Sequence, residues 1–212
     1  MKLIVLSVGL LASVILCVSG KYLARPNLVY VFKPLSTILV ISVAVIYRPN
    51  QSPAYWYLIV AGLFCSLVGD VFLMLPTEKF VNGLVSFLIA HVFFALAFLS
   101  IYRGSSERLA FVALLVGVVV YRTLLPGLGT LRYPVLGYLA VVLIMAWRAS
   151  EAGVHAMSSM TLMAVIGSLL FVVSDTVLAV DRFRHPFRTS QLVILPTYFA
   201  AIYLLALSAT TI

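Results

Sequence analysis

Charged side chains are scarce in this sequence. They make up 9% of its 212 residues, against 64% that are hydrophobic, and only six residues are Asp or Glu. The apolar runs are each roughly 17 to 25 residues long, which is the length that a bilayer requires of a spanning helix. The connections between the runs are too short to hold a soluble domain. The composition therefore excludes an ordinary soluble protein and predicts an all-α, polytopic integral membrane protein with residues 1–212 in a single transmembrane domain.

Cysteine and histidine are also rare, with two and three residues respectively. Cys17 and Cys65 lie inside apolar runs and lack the spacing of metal ligands, so neither a disulfide framework nor a zinc site is predicted. His91, His155 and His185 are too scattered to form a ligand set. We therefore expect no metal and no cofactor, which argues against a zinc-dependent hydrolase of the ceramidase type.

The formal net charge of +8 comes from 14 Lys and Arg against six acidic residues. These cations stand at the ends of apolar runs and do not form one basic stripe, so membrane topology and lipid head groups explain them better than nucleic acid does. The expected partner is the lipid bilayer. The expected location is multi-pass in a membrane, namely the inner (plasma) membrane if the chain is bacterial, and the oligomeric state is left open.

Breaks rich in Pro, Gly and charge divide the chain into eight predicted helices. Met1 to Gly20 has the look of a signal peptide, but we take it as the first span. Eight spans place both termini on one side of the membrane, and we call the opposite side, which carries the loops after odd-numbered helices, the odd-loop side. The predicted helices are approximately Leu3–Ser19, Val29–Tyr47, Ala54–Leu75, Phe80–Tyr102, Leu109–Leu125, Tyr133–Ala149, Met157–Val180 and Thr189–Ala209.

Two aspartates, Asp70 and Asp175, lie inside these apolar runs, each about five residues before the end of the third or the seventh predicted helix. An ionisable carboxyl at membrane depth is expensive, so it is kept mainly for proton relays, substrate cavities and catalysis. The two helices run in the same direction, which places both carboxyls at one depth. Val-Gly-Asp and Val-Ser-Asp also match at a separation of 105 positions, which indicates a possible 4+4 repeat. The pair predicts a functional site.

Small residues flank both carboxyls, including Gly62 and Gly69 before the first and Gly167 before the second. In lipid, small residues let helix backbones approach closely. We therefore expect the third and seventh helices to pack together and to bring the two carboxyls within reach of one substrate.

Further polar residues fall in the odd-loop half of the membrane, as expected of a hydrated pocket. Lys33, Arg122 and Arg132 are candidate phosphate contacts, although interfacial snorkelling would also explain such cations. The residues 182–188 with their arginines, and two of the histidines, are expected in loops that face head groups. The predicted substrate-binding set is Lys33, His91, Tyr121, Arg122, Arg132, Tyr138 and Tyr198; for His91 and the mid-helix tyrosines the alternative is helix packing with one satisfied hydrogen bond.

Short motifs lie in order along the whole chain, namely Phe32-Lys33-Pro34-Leu35-Ser36-Thr37, Leu67-Val68-Gly69-Asp70, Gly83-Leu84 with Ala90-His91, Tyr133-Pro134-Val135 with Tyr138, Gly167-Ser168-Leu169-Leu170-Phe171 with Ser174-Asp175, and Pro196-Thr197-Tyr198. Together these motifs resemble those of the YhhN-like membrane proteins, a family that includes animal lysoplasmalogenases. One departure is that Tyr198 is followed by apolar residues, where family members often carry a glutamine.

The resemblance implies an eight-helix membrane hydrolase that cleaves the vinyl ether bond of lysoplasmalogens, a class of lysophospholipid, with Asp70 and Asp175 as its catalytic residues. The products would be a fatty aldehyde and glycerophosphoethanolamine or glycerophosphocholine. Such hydrolysis needs an acid near the alkene carbon and a negative group near the resulting cation, a division of labour that two carboxyls can supply. Which aspartate takes which role is left open.

Three other functions compete with this interpretation. A proton-coupled transporter of a small or amphiphilic solute also uses intramembrane carboxyls, although Pro196 has no proline partner in the fourth helix, where His91 stands at the equivalent position. An intramembrane aspartyl protease would need a glycine at Leu67. A non-enzymatic membrane interaction protein is the third alternative.

Overall fold

The protein is a bundle of eight long helices, seen here in a computed structural model that describes residues 1–49, 53–75 and 79–210. All eight are long and apolar enough to cross a membrane, which confirms the predicted all-α, polytopic architecture. A single-turn 3-10 segment on each side of Leu128 joins the fifth helix to the sixth. The helices are α1 (Lys2–Tyr22), α2 (Pro26–Ile46), α3 (Pro53–Met74), α4 (Phe80–Ile101), α5 (Glu107–Leu124), α6 (Arg132–His155), α7 (Ser159–Phe183) and α8 (Ser190–Ser208).

Local signals explain where several helices begin and end. Pro26 opens α2 and Pro53 opens α3, positions at which a missing N–H costs little because the first turn has no intrahelical acceptor. Ser158 caps α7 by accepting a hydrogen bond from the backbone N–H of Thr161. The α6 helix continues six residues beyond its predicted end at Ala149, and a hydrogen bond from Trp147 to the side chain of Glu151, one turn later, spans that predicted end.

Three antiparallel hairpins dominate the packing: α1 with α2, α3 with α4, and α7 with α8. The α2 helix also contacts α8, and α4 contacts α6, which is the correspondence that a 4+4 repeat requires. The core between the hairpins is rich in large aromatics such as Tyr55, Phe94 and Phe171. In contrast, α5 packs mainly against α6, and Leu124 is the one buried residue of α5.

The prediction that α3 packs directly on α7 was wrong, because their small residues serve other neighbours. An added Cβ at Gly62 would lie 2.4 Å from the ring of Phe94, and one at Gly69 would lie 2.7 Å from the ring of Phe87. Both rings belong to α4. Gly167 instead brings α7 close to α8, with the carbonyl of Ala201 at 3.0 Å from a hypothetical Cβ. Rings packed on glycines therefore bring α3 and α4 together, and a glycine beside a backbone carbonyl brings α7 and α8 together, while residues of both α3 and α7 line one cavity.

Candidate active site

One cavity on the odd-loop side receives both intramembrane aspartates. Its volume is about 230 Å³, and six of the eight helices contribute to its wall. Apolar side chains form part of the lining, and charged and amide side chains from five helices reach the cavity. These polar residues are Lys21, Lys33, Asp70, Asp175, Asp181, Arg182 and Gln191.

Asp70 lies at the buried end of this cavity with no exposed surface. Its Oδ2 accepts hydrogen bonds from Thr37 Oγ1 at 2.6 Å and from the hydroxyl of Tyr198 at 2.7 Å. Lys33 Nζ lies 3.2 Å from Oδ1, and this lysine is itself only 8% exposed. Two hydroxyl donors and one ammonium group therefore lie beside this carboxyl.

Asp175 has fewer partners and more open space. Its Oδ2 accepts a 2.7 Å hydrogen bond from the hydroxyl of Tyr138. His91 Nε2 lies 3.5 Å from the same oxygen, which is too long for a strong hydrogen bond. The Asp175 side chain is 13% exposed, and no donor within the described ranges is hydrogen-bonded to its Oδ1. One carboxyl oxygen is therefore available to a ligand in the cavity.

A cluster of rings connects the surroundings of the two carboxyls. Phe171 of α7 lies at the centre, with its ring centroid 4.5 Å from that of His91 and 5.5 Å from that of Tyr198. Phe87 of α4 contacts Tyr198 edge-on at 5.7 Å. These edge-to-face contacts are the preferred arrangement for aromatic pairs. They restrict the Tyr198 ring at Asp70 and the His91 ring at Asp175.

The two carboxyls occupy related positions but have chemically different partners. Lys33 and Tyr138 are separated by the same 105 positions as Asp70 and Asp175, and each contacts the aspartate of the following helix. In the first half the partner is an ammonium, whereas in the second half it is a phenol. This difference allows the two carboxyls to take different roles.

A second, apolar cavity meets the polar one at Asp175. It has a volume of about 40 Å³, is lined by α4 to α7, and shares Phe80, Asp175 and Leu178 with the polar cavity. Leu139 lines both this cavity and a larger apolar groove of about 330 Å³ between α5 and α6. Asp175 therefore lies where polar and apolar spaces join.

Four of the predicted substrate-binding residues contact the two aspartates directly, namely Lys33, His91, Tyr138 and Tyr198. The other three are elsewhere. Tyr121 lines the α5–α6 groove and makes only a long, 3.4 Å hydrogen bond to the carbonyl of Arg132. Arg122 and Arg132 have exposed side chains and lie outside the lining of the polar cavity.

Several residues of this site are missing from the set predicted by sequence. Thr37 follows Lys33 by one helical turn, a spacing that puts both side chains on one face of α2 and signals a shared partner. Lys21, Asp181 and Arg182 lie in the last turns of α1 and α7. The prediction that Arg182 lies in a loop was wrong, because α7 continues to Phe183 and carries this arginine into the cavity lining.

Comparison with known proteins agrees with this architecture. The profile of the YhhN family matches residues 28–209. The chain belongs to the YhhN family. The YhhN match covers every residue that contacts Asp70 or Asp175. Within the described ranges, no three His, Cys, Asp or Glu side chains come close enough together to hold a metal ion.

Curated relatives come from bacteria and mammals. The uncharacterised membrane protein YhhN of Escherichia coli is 28% identical over 185 residues, covering 84% of this chain and 86% of that protein. Lysoplasmalogenase TMEM86A of Bos taurus is 36% identical over 157 residues, covering 71% of this chain and 64% of the bovine protein. Lysoplasmalogenase TMEM86B of Homo sapiens is 34% identical over 170 residues, covering 76% and 66%. No solved structure matches the chain.

Proposed function

We propose that this YhhN protein is a lysoplasmalogenase-like hydrolase that cleaves the vinyl ether bond of a lysoplasmalogen. The products are a fatty aldehyde and glycerophosphoethanolamine or glycerophosphocholine. The observation that carries the proposal is the junction at Asp175, where a cavity with two carboxyls meets an apolar cavity. The names of the mammalian relatives support the same reaction.

The cavities match the two ends of a single-chain lipid. The polar cavity, which holds Lys21, Lys33 and Arg182, suits a phosphate-bearing head group. The apolar cavity beside Asp175 suits the start of the alkenyl chain, and the α5–α6 groove offers space for its remainder. In this placement the vinyl ether lies at the junction, next to the open oxygen of Asp175.

Contacts divide the roles between the two carboxyls. Asp70, with an ammonium and two hydroxyl donors, acts as the carboxylate that stabilises positive charge. Asp175, with one hydroxyl donor and an open oxygen, acts as the general acid.

The reaction begins when Asp175 donates its proton to the alkene carbon that is not bonded to oxygen. The electron pair of the double bond forms the new C–H bond, and an oxocarbenium cation results, stabilised by the carboxylate of Asp70. Water adds to the cationic carbon and returns one proton to Asp175. The resulting hemiacetal then loses the glycerol oxygen, which takes the remaining hydroxyl proton, and the fatty aldehyde is left. No net proton is consumed.

The remaining residues position these groups. Tyr138 holds Asp175 through its hydroxyl, and Tyr198 holds Asp70. His91 Nε2 lies beside Asp175 at a distance that contracts when catalytic hydrogen bonds tighten around a bound substrate. The role of His91 is to orient Asp175 or the attacking water.

The test is aldehyde release by the purified protein in detergent, with ethanolamine and choline lysoplasmalogens as substrates. We expect activity from the wild type and a loss of roughly a hundredfold or more for Asp70→Asn and Asp175→Asn, since each removes an acid or a stabilising charge. Thermal unfolding checks that the variants remain folded. Absence of wild-type activity on both lipids would contradict the substrate, and a transport assay would then follow. Activity that survives both substitutions would contradict the site.

A further inference from the structure

The mouth of the polar cavity carries charges of both signs. Lys21 comes from the last turn of α1, whereas Asp181 and Arg182 come from the last turn of α7. Gln191 adds an amide from the start of α8. All four line the same cavity as the catalytic pair. A purely anionic ligand would need only the cations, so the carboxylate of Asp181 requires its own explanation.

Asp181 has a structural role that uses only one of its oxygens. Oδ1 accepts a hydrogen bond of 3.1 Å from the backbone N–H of Phe187, in the connection between α7 and α8. Oδ2 takes no hydrogen bond, and Asp181 forms no ion pair, within the part of the chain that the structure describes. The side chain is half-buried and lines the cavity. One carboxylate oxygen therefore remains for a cationic ligand group.

The spacing along α7 fits a lipid head group. Asp181 follows Asp175 by six residues, which corresponds to a rise of about 9 Å along the helix. This is comparable to the length of a glycerophosphoethanolamine measured from its ether oxygen to its nitrogen. Lys21, Lys33 and Arg182 line the same cavity, where they can meet the phosphate in the middle of the head group.

We propose that Asp181 binds the primary ammonium group of an ethanolamine lysolipid, while Lys21 binds its phosphate. The proposal rests on the proposed function, because it places the head group of the same substrate in the same cavity. A primary ammonium is favoured over a quaternary one because it donates N–H hydrogen bonds to a carboxylate oxygen. Asp181 thus becomes the residue that distinguishes zwitterionic from purely anionic head groups.

The test measures binding and not turnover, so that a failure of the proposed reaction does not obscure it. The probes are two saturated 1-alkyl ether lysolipids, which lack the vinyl group: one with an ethanolamine head group and one with N-acetylethanolamine, which has no positive charge. Their Kd values are measured on the purified protein in detergent. For the wild type we expect the ethanolamine lipid to bind roughly five- to tenfold more tightly, as a partly buried charged hydrogen bond implies.

In Asp181→Asn we expect this preference to disappear. Asparagine keeps a side-chain oxygen for the N–H of Phe187, so the connection to α8 is retained while the charge is removed. The matched control is Glu107→Gln, which removes an exposed acidic charge at the start of α5 and leaves the preference unchanged.

Two results would overturn the proposal. One is a wild-type protein that binds both lipids equally, a result that needs no variant. The other is an Asp181→Asn protein that keeps the preference or that weakens both lipids by the same factor, because either outcome assigns Asp181 a structural role only. A wild-type protein that keeps the binding preference but releases no aldehyde from lysoplasmalogens would instead contradict the proposed reaction.

Discussion

Two regions of the bundle bury charged side chains, and they use them differently. On the side opposite the cavity, Arg148 and Glu151 of α6 are each 4% exposed. Arg148 donates to the carbonyls of Gly104 and Tyr102, at 2.7 and 2.5 Å, and Glu151 accepts from the backbone N–H of Ser106 at 2.6 Å. This Arg148–Glu151 cluster holds the α4–α5 connection against α6. Its charged side chains form hydrogen bonds with backbone groups of that connection.

Around Asp70 and Asp175 every hydrogen-bond donor within the described ranges is a side chain, and both carboxyls face a cavity. A charge that holds backbone groups cannot bind a ligand unless the connection between the helices unfolds. A carboxylate beside an open space can bind a ligand without any such change. Burial of a charge therefore does not by itself indicate catalysis. The kind of partner and the presence of an adjacent cavity distinguish a charge that can meet a ligand from one that holds a loop.

The largest expected contrast comes from the same chemical change in both regions. Asp175→Asn should lower aldehyde release at least a hundredfold, or about 2.7 kcal/mol, because it removes the group that we propose as the acid for the alkene. Glu151→Gln keeps an oxygen for Ser106 and should leave the activity per folded molecule within twofold. Initial rates in detergent check both variants. A comparable loss of activity in Glu151→Gln would show that the two regions are functionally coupled.

The reverse contrast concerns stability. Arg148→Met leaves two carbonyls of the α4–α5 connection without their donor, so we expect it to lower the free energy of unfolding by about 3 kcal/mol. Arg108→Met, which changes an exposed arginine of α5, serves as the control and should lower it by less than about 0.5 kcal/mol. Thermal unfolding midpoints in detergent are the measurement. Unchanged aldehyde release by folded Arg148→Met protein would confirm that this charge is structural.

The sequence predicted much of this organisation. Eight apolar runs identified eight helices, because few segments of that length can avoid the membrane. The two aspartates stood out because so few charges interrupt those runs. Lys33, His91, Tyr138 and Tyr198 were predicted near them, and all four contact them. The position of a residue along a spanning helix gives its depth in the membrane, so residues of different helices at the same depth can be recognised from the sequence.

The sequence could not predict which helices lie beside one another in the bundle, because counting residues along a helix gives only depth in the membrane. Arg122 and Arg132 share the side of the membrane with the cavity but not its position in the bundle plane, which tertiary packing decides. The glycines near Asp70 indicated close packing without naming α4 as the partner. Arg182 was assigned to a loop, and Asp181 fell just beyond the predicted end of the seventh helix at Val180, because a helix end is uncertain by a few residues. Both residues line the cavity.

A smaller effect tests the positioning role of Tyr138. Tyr138→Phe removes the hydroxyl donated to Asp175 and should lower kcat roughly tenfold with little change in KM, as the loss of one charge-assisted hydrogen bond implies. Tyr133→Phe on the same helix, where the side chain is 84% exposed, is the matched control. A change confined to KM would instead assign Tyr138 to substrate binding.

The smallest effect separates cations at the cavity from cations outside it. Lys21→Met should raise KM about threefold to fivefold through the loss of a phosphate contact, whereas Arg122→Met and Arg132→Met should change it less than twofold. Steady-state kinetics at two salt concentrations provide the comparison. A larger effect at Arg132 than at Lys21 would favour the sequence-based assignment of the phosphate site.

The junction of the two cavities at Asp175 also bears on the fate of the products in the proposed reaction. In that reaction the two products would face different media: the glycerophospho-amine would border the polar mouth and escape into water, while the aldehyde would border the α5–α6 groove and escape into lipid. Partitioning then keeps the products apart. The forward direction is favoured by dilution into separate phases, and neither product has to pass the other to leave the protein.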